Sequence, residues 1–181
     1  NQDLRDKKFR TEDGYTTTFS QEVPIVSDNA EFANAFQVTK FKKLSSTSDM
    51  VGKISFYGKT ITGLSDDVRI SKRLNVPASR LRGFQRGKVG PVENNDYIGG
   101  NYVSSLNFSA TLPNLVEGLD NLDVGVFVDA ANVWGVDYDS SIDDKSKIRS
   151  STGVALNLMT PIGPLSFSFA NVLTKASSDK T

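Results

Sequence analysis

Large apolar and small polar residues alternate with a period of two through much of this chain, the spacing of strands whose two faces meet different surroundings. In Leu165-Ser166-Phe167-Ser168-Phe169-Ala170 every large apolar side chain falls on one face. Leu106, Phe108, Ala110 and Leu112 alternate with Ser105, Asn107, Ser109 and Thr111, and Thr152, Val154, Leu156 and Leu158 with Ser151, Gly153, Ala155 and Asn157. Val124, Val126 and Val128 oppose Gly125, Phe127 and Asp129. Weaker alternation over Tyr15–Glu22, Phe32–Phe41 and Met50–Gly58 completes seven predicted strands, with a frayed eighth at the N-terminus. Asp13-Gly14 and Pro161-Ile162-Gly163-Pro164 are tight breaks, and Val26–Glu31, Leu44–Asp49, Pro113–Asp123 and Val136–Lys147 are polar or charged connectors. The longest irregular stretch covers about 59–100; a connection of that length inside a compact domain is expected only where it is functional.

Two all-β architectures fit this pattern. In a soluble sandwich the apolar face meets a second sheet and the other face meets water. In an outer-membrane barrel the apolar face meets lipid and the small polar face lines the lumen. The polar faces here carry Ser, Thr, Asn, Gly and Ala in place of Lys and Glu, which favours a lumen over bulk water. No apolar run approaches the ~20 residues of a membrane-spanning helix, but barrel strands are short and half polar and leave no such run.

Composition removes several function classes. The 21 basic and 21 acidic residues cancel, so nothing favours nucleic acid as a partner. The chain has no cysteine and no histidine, which excludes disulfides, thiol nucleophiles, conventional zinc sites and Ser-His-Asp chemistry. Asp137, Asp139, Asp143 and Asp144 crowd one connector without the glycine and terminal glutamate of an EF-hand, and read as a solvated acidic loop. Asp66, Asp67 and Glu93 lie in loop sequence with nothing to raise one pKa for hydrolysis. Neither a phosphate-binding glycine loop nor a Gly-x-Ser-x-Gly elbow occurs, so no catalytic residue, metal or cofactor is expected. Asn1–Lys8 is polar and charged, unlike a leader, and without an initial methionine the chain is expected to be a segment of something longer.

The irregular stretch holds the most specific signals: Arg82-Gly83-Phe84, then Gly90-Pro91, then Gly99-Gly100-Asn101. Asp3-Leu4-Arg5-Asp6 with Gly14 precedes them, and Phe127–Trp134, Ile148-Arg149-Ser150-Ser151 with Gly153, Pro161–Leu165, Phe169-Ala170, Lys175 and Asp179-Lys180-Thr181 follow. In this order and spacing they resemble the BamA-type outer-membrane assembly factors over nearly the whole chain. The resemblance implies the C-terminal part of a transmembrane β-barrel, 1–181 supplying roughly the eighth through the fifteenth of about sixteen strands. Periplasmic repeat domains, the first strands and the last strand would lie outside it.

By the same resemblance the long extracellular loop folds back into the lumen, and Arg82 reaches the inner wall near Phe127 and Asp129. Those two positions share a strand face opposite the valines. An arginine drawn into a confined lumen needs a carboxylate, which Asp129 would supply, and the Phe127 ring would add a cation–π contact of ~1 kcal/mol. Gly83 would let the backbone turn beside the wall, and Phe84 would plug the loop tip. Gly90, Pro91, Gly99 and Gly100 would shape the loop and its turns. Ala131 stands where the family usually has glycine, and Asn107 where many relatives carry glutamate, which leaves Asp129 as the main counter-charge. Trp134 fits either a core or an aromatic girdle at the membrane surface. The implied activity is folding and inserting other barrels, without catalysis. The implied partners are outer-membrane lipid, unfolded outer-membrane clients and accessory assembly lipoproteins. A two-partner-secretion or autotransporter-assembly relative, the barrel anchor of a patatin-like phospholipase, and a soluble binding module are the alternatives.

Overall fold

The computed structural model describes residues 1–8, 10–24, 30–47, 49–113, 115, 118, 119, 121–142, 144 and 147–181. The strands are β1 (Gln2–Asp3), β2 (Gly14–Glu22), β3 (Glu31–Lys43), β4 (Val51–Gly63), β5 (Val92–Glu93), β6 (Asp96–Tyr97), β7 (Tyr102–Pro113), β8 (Leu122–Trp134), β9 (Arg149–Thr160) and β10 (Gly163–Thr174). Eight of them form one sheet in the order β1-β2-β3-β4-β7-β8-β9-β10, and β5 and β6 pair apart as a small hairpin. Every neighbouring pair in the large sheet is antiparallel.

Seven long strands and one short N-terminal strand match the periodicity. Several strands run further than the alternation indicated. Glu31, Pro113, Leu122 and Asp123 belong to strands, not to connectors. Ile25–Asn29, Ser48, Asn114, Val116, Glu117 and Asp120 lie outside the described residues, as does Asp143 of the acidic connector. The long loop begins at residue 64, because β4 continues to Gly63 in register with Glu31. The predicted boundary at 59 missed this extension because Lys59 and Thr60 obscure the alternation. Ile61 continues it, buried on the inner face beside Ala33.

The two sheet faces differ as the pattern requires. Phe36, Ile54, Phe56, Leu106, Phe108, Val126, Val128, Leu165, Phe167 and Phe169 are all exposed on the outer face. A sandwich would cover that face with a second sheet, and among the described residues nothing does. The inner face buries Thr39, Ser55, Ser105, Phe127, Asp129 and Ser151. The chain is thus a curved wall whose apolar side faces outward, the arrangement of a membrane barrel.

The long loop lies against the inner wall. It contains two 3-10 turns, Ile70–Lys72 and Ala78–Arg80, the β5–β6 hairpin, and a bridge between Leu74 and Gly100. Val76, Leu81 and Val89 of the loop form one apolar cluster with Val103, Ala131 and Val133 of the wall, and Tyr57, Leu74 and Phe84 pack on it. A second cluster joins Val68 to Ala33 and Ile61. Burying these side chains offsets the entropy of ordering so long a connection.

Candidate functional site

Strand pairing brings the site's wall residues into one row. Asp129 of β8 stands opposite Asn107 of β7 and Ser151 of β9, and Asn107 stands opposite Ser55 of β4. All four point inward, and the Asp129 carboxylate is fully buried. A buried carboxylate must be paired and hydrogen-bonded. Arg82 supplies the pair in a bidentate fork: Nε donates to Oδ2 and Nη2 to Oδ1, both at 2.7 Å. The Arg82 backbone N–H adds a third bond at 3.2 Å, and the Asn107 amide a fourth at 2.8 Å.

The guanidinium carbon of Arg82 lies 3.4 Å from the centroid of the Phe127 ring, so the cation meets a π-system as well as the carboxylate at its edge. Small residues make room for this stack. A Cβ on Gly153, opposite Phe127 in the ladder, would come within 2.8 Å of the Phe127 ring. Gly83 has φ +88°, and a Cβ there would lie 2.9 Å from that of Ala170. Only a glycine follows Arg82 without strain at this close approach.

Asp129 is the counter-charge of Arg82, and Asn107 acts beside it as a donor, its amide bonding both Asp129 and the backbone carbonyl of Arg80 at 2.8 Å. It therefore ties the loop to the wall and helps satisfy Asp129. Arg80 reaches further along the wall, donating to Gln37 at 2.6 Å and stacking 4.1 Å from the centroid of Tyr57. Phe84 packs on the apolar cluster shared by loop and wall. Pro91 is fully buried, Gly90 and Gly99 have positive φ, and Gly100 bridges Leu74.

Two further arginine sites, to which no role was assigned from the sequence, help to hold the loop. Arg73, with a fully buried side chain, pairs with Asp137 of the β8–β9 connection, which also accepts from the Val68 N–H at 2.8 Å and the Asn101 amide at 3.0 Å. Burial pushes the Asp137 carboxyl upward, but these bonds and the Arg73 charge outweigh it and hold the pKa below the usual carboxylate value. Arg149 is wholly buried and pairs with Asp179 at 2.9 Å and Asp144 at 2.6 Å, while Asn132 accepts from it at 2.7 Å. The acidic connector is therefore not simply solvated, since Asp137 and Asp144 each hold a buried arginine. Asp179 also accepts from the Gly90 N–H at 3.4 Å. Backbone bonds from Gln85 to Lys180 and from Lys180 to Lys88 complete a clasp between the loop and residues 175–181. An arginine facing two acidic residues is a recognisable signal, but Arg149 and Asp179 are too far apart in the chain for spacing to reveal the pair.

Asp129 sits in mid-strand, so it does not open a turn with Asn132. Trp134 stacks on Tyr102, its neighbour across the ladder, with ring centroids 5.7 Å apart at the long-loop end of the wall. Among the described residues no group of acidic side chains is arranged to hold a metal. The arrangement can fasten a loop.

A wall of antiparallel strands, apolar outside and latched to its own longest loop inside, defines a segment of an outer-membrane β-barrel. Residues 1–181 match the Omp85 superfamily domain, and the chain belongs to that superfamily, whose barrels lie in the bacterial outer membrane. It is similar to the outer membrane protein assembly factor BamA of Neorickettsia risticii (strain Illinois), 24% identical over 179 residues that cover 97% of this chain and 24% of that protein. It also superposes, with a TM-score of 0.87 and 24% identity, on the crystal structure of BamA from Haemophilus ducreyi lacking POTRA domains 1–3, covering 97% of this chain and 38% of that one. The chain thus spans about a quarter of the length of the curated relative it matches.

Proposed function

We propose that the protein to which this chain belongs folds and inserts other β-barrel proteins into the bacterial outer membrane, and that residues 1–181 supply the C-terminal half of its barrel. The observation that carries this reading is the buried Arg82–Asp129 fork with Phe127, set in an Omp85 barrel wall. The similarity to a protein named as an outer membrane protein assembly factor supports it. In this account Arg82, Gly83 and Phe84 form the latch, Phe127 and Asp129 receive it, and Gly90, Pro91, Gly99 and Gly100 shape the loop around it. The latch is mechanical: no bond is made or broken, and neither catalytic residue nor cofactor is involved.

Insertion is read as the templating of client strands on an opened seam between the first and last strands of the barrel. Both would lie outside this chain, so residues 1–181 alone would not carry it out. What they contribute is a stiff wall whose loop is fixed at three arginines. Unfolded outer-membrane proteins are the proposed clients, with outer-membrane lipid and accessory lipoproteins as the other partners.

The test is reconstitution of the complete protein in liposomes with a urea-unfolded outer-membrane barrel as client. The fraction of client that acquires heat-modifiable mobility on a gel is followed with time. The proposal predicts acceleration by the wild type and a loss of roughly tenfold or more in Arg82→Glu, compared at equal amounts of folded, heat-modifiable barrel. A wild-type protein that leaves client folding at the lipid-only rate would count against assembly and favour a superfamily transporter or enzyme anchor.

A further inference from the structure

We infer that the outer face of β3 and β4, at the end with the short turns, carries a binding site for an anionic phospholipid. An open groove of about 440 Å³ lies there, lined by Leu44, Gly52, Ile54, Ala110 and Val126 with Lys40 and Lys42 at its edge. Register explains its shape. Lys42 stands opposite Gly52, Gly52 opposite Ala110, and Ala110 opposite Val126, so two small residues make a trough between larger ones. A Cβ on Gly52 would come within 2.8 Å of the Leu44 side chain, which closes one side. The trough is apolar, as an acyl chain requires.

The lysines set the other half of the ligand. Lys42 donates to Asp13 at 2.8 Å, across the rim. Lys40, two residues deeper on the same outward face, is exposed and makes no hydrogen bond or ion pair among the described residues; Asp13, already bonded to Lys42, acts on it only through its longer-range charge. Its ladder neighbours are Tyr15 and Ile54, and beyond Ile54 come Phe108 and Val128, so no carboxylate stands beside it in the ladder. A cation beside the lipid-facing residues of a membrane strand is unfavourable unless an anion meets it near the interface. A lipid phosphate does so, while the attached chain occupies the groove. Short turns mark the periplasmic end of outer-membrane barrels, so the occupant is an anionic phospholipid of the periplasmic leaflet.

The inference rests on the barrel reading, and the experiment separates the two. The complete protein is folded into nanodiscs containing equal amounts of phosphatidylethanolamine and phosphatidylglycerol, folding is checked by gel mobility, and co-released lipid is counted by native mass spectrometry. Wild type is expected to retain phosphatidylglycerol preferentially. Lys40→Gln/Lys42→Gln is expected to lose that preference by roughly tenfold, and Ala110→Leu, which fills the trough, to lower total retention. Lys72→Gln, an exposed loop lysine at the opposite end, is expected to behave as wild type. A folded wild type with no preference, unchanged retention in the double or Ala110→Leu variants, or an equal loss in Lys72→Gln would overturn the lipid site alone. A wild type that never folds into the bilayer would overturn the barrel reading beneath it.

Discussion

At Asp129 four donors from two directions converge on one fully buried carboxylate: three from Arg82 and one from Asn107. Removing either charged partner leaves the other charge unpaired, which costs about 3–5 kcal/mol where burial is complete. Asp129→Ala leaves Arg82, which is only partly buried, and is expected to lower barrel stability by less, about 1–3 kcal/mol, in urea unfolding from liposomes. Arg82→Ala, which strands the fully buried carboxylate, is expected to cost the larger amount. Asn107→Leu leaves the Arg80 carbonyl and one carboxylate site with fewer partners, and is expected to cost about 1–3 kcal/mol by the same measurement. Asp137 predicts a pH dependence. Its folded pKa is depressed, so its contribution is complete above the ordinary carboxylate range, ~4, and declines as pH falls through its lower folded value. Hydrogen exchange over residues 68–74 is expected to rise below that pH in wild type, and to be high at neutral pH in Asp137→Ala. Phe127 and Asp129 were singled out through the family resemblance, and the even spacing adds only that a strand places both on one face. The donor role of Asn107 was not legible, because it depends on the Arg80 carbonyl and the Asp129 carboxylate meeting at its amide. Arg73 was not singled out and Arg149 stood only as a motif residue without a partner, because Asp137 and Asp179 come from distant parts of the chain and nothing local marks those pairings.

Among the elements, the long loop departs most from what periodicity allows. The seven strands could be read from alternation alone, since each carries its own two-residue repeat. The loop is ordered by contacts with a wall built from residues far away in sequence, and only its motifs hinted at this. It is held at Asp129, at Asp137 and at the clasp with residues 175–181, with apolar packing between them. These anchors should differ in reach. Arg149→Ala frees Asp144 and Asp179 together and is expected to expose residues 85–90 and 175–181 to protease while leaving 80–84 protected. Gly83→Val forces a branched side chain into a positive-φ position against Ala170, and is expected to release 80–84 first. Limited proteolysis with mass mapping distinguishes the two patterns. Loss of both regions in either variant would mean that the loop behaves as a single cooperative unit.

For the whole molecule, the outer face sets the environment. Its exposed phenylalanines, leucines and valines form a continuous apolar band that water does not tolerate, and the sheet ends in the unpaired edges of β1 and β10. An isolated 1–181 polypeptide is accordingly expected to aggregate without detergent, and sharp NMR signals from a soluble monomer would contradict the membrane reading. The choice between sandwich and barrel, open on alternation alone, is decided by what covers that band. Of the three anchors, the Arg82–Asp129 pair is the one on which client assembly is proposed to depend. Exchanging the charges tests it most directly: Arg82→Asp, Asp129→Arg and the double exchange in the complete protein, each assayed for client folding in liposomes. Each single exchange places like charges together and is expected to lose activity, and the double exchange is expected to recover a substantial part of it. Full activity in the single variants, or a double variant no better than either single, would contradict that dependence.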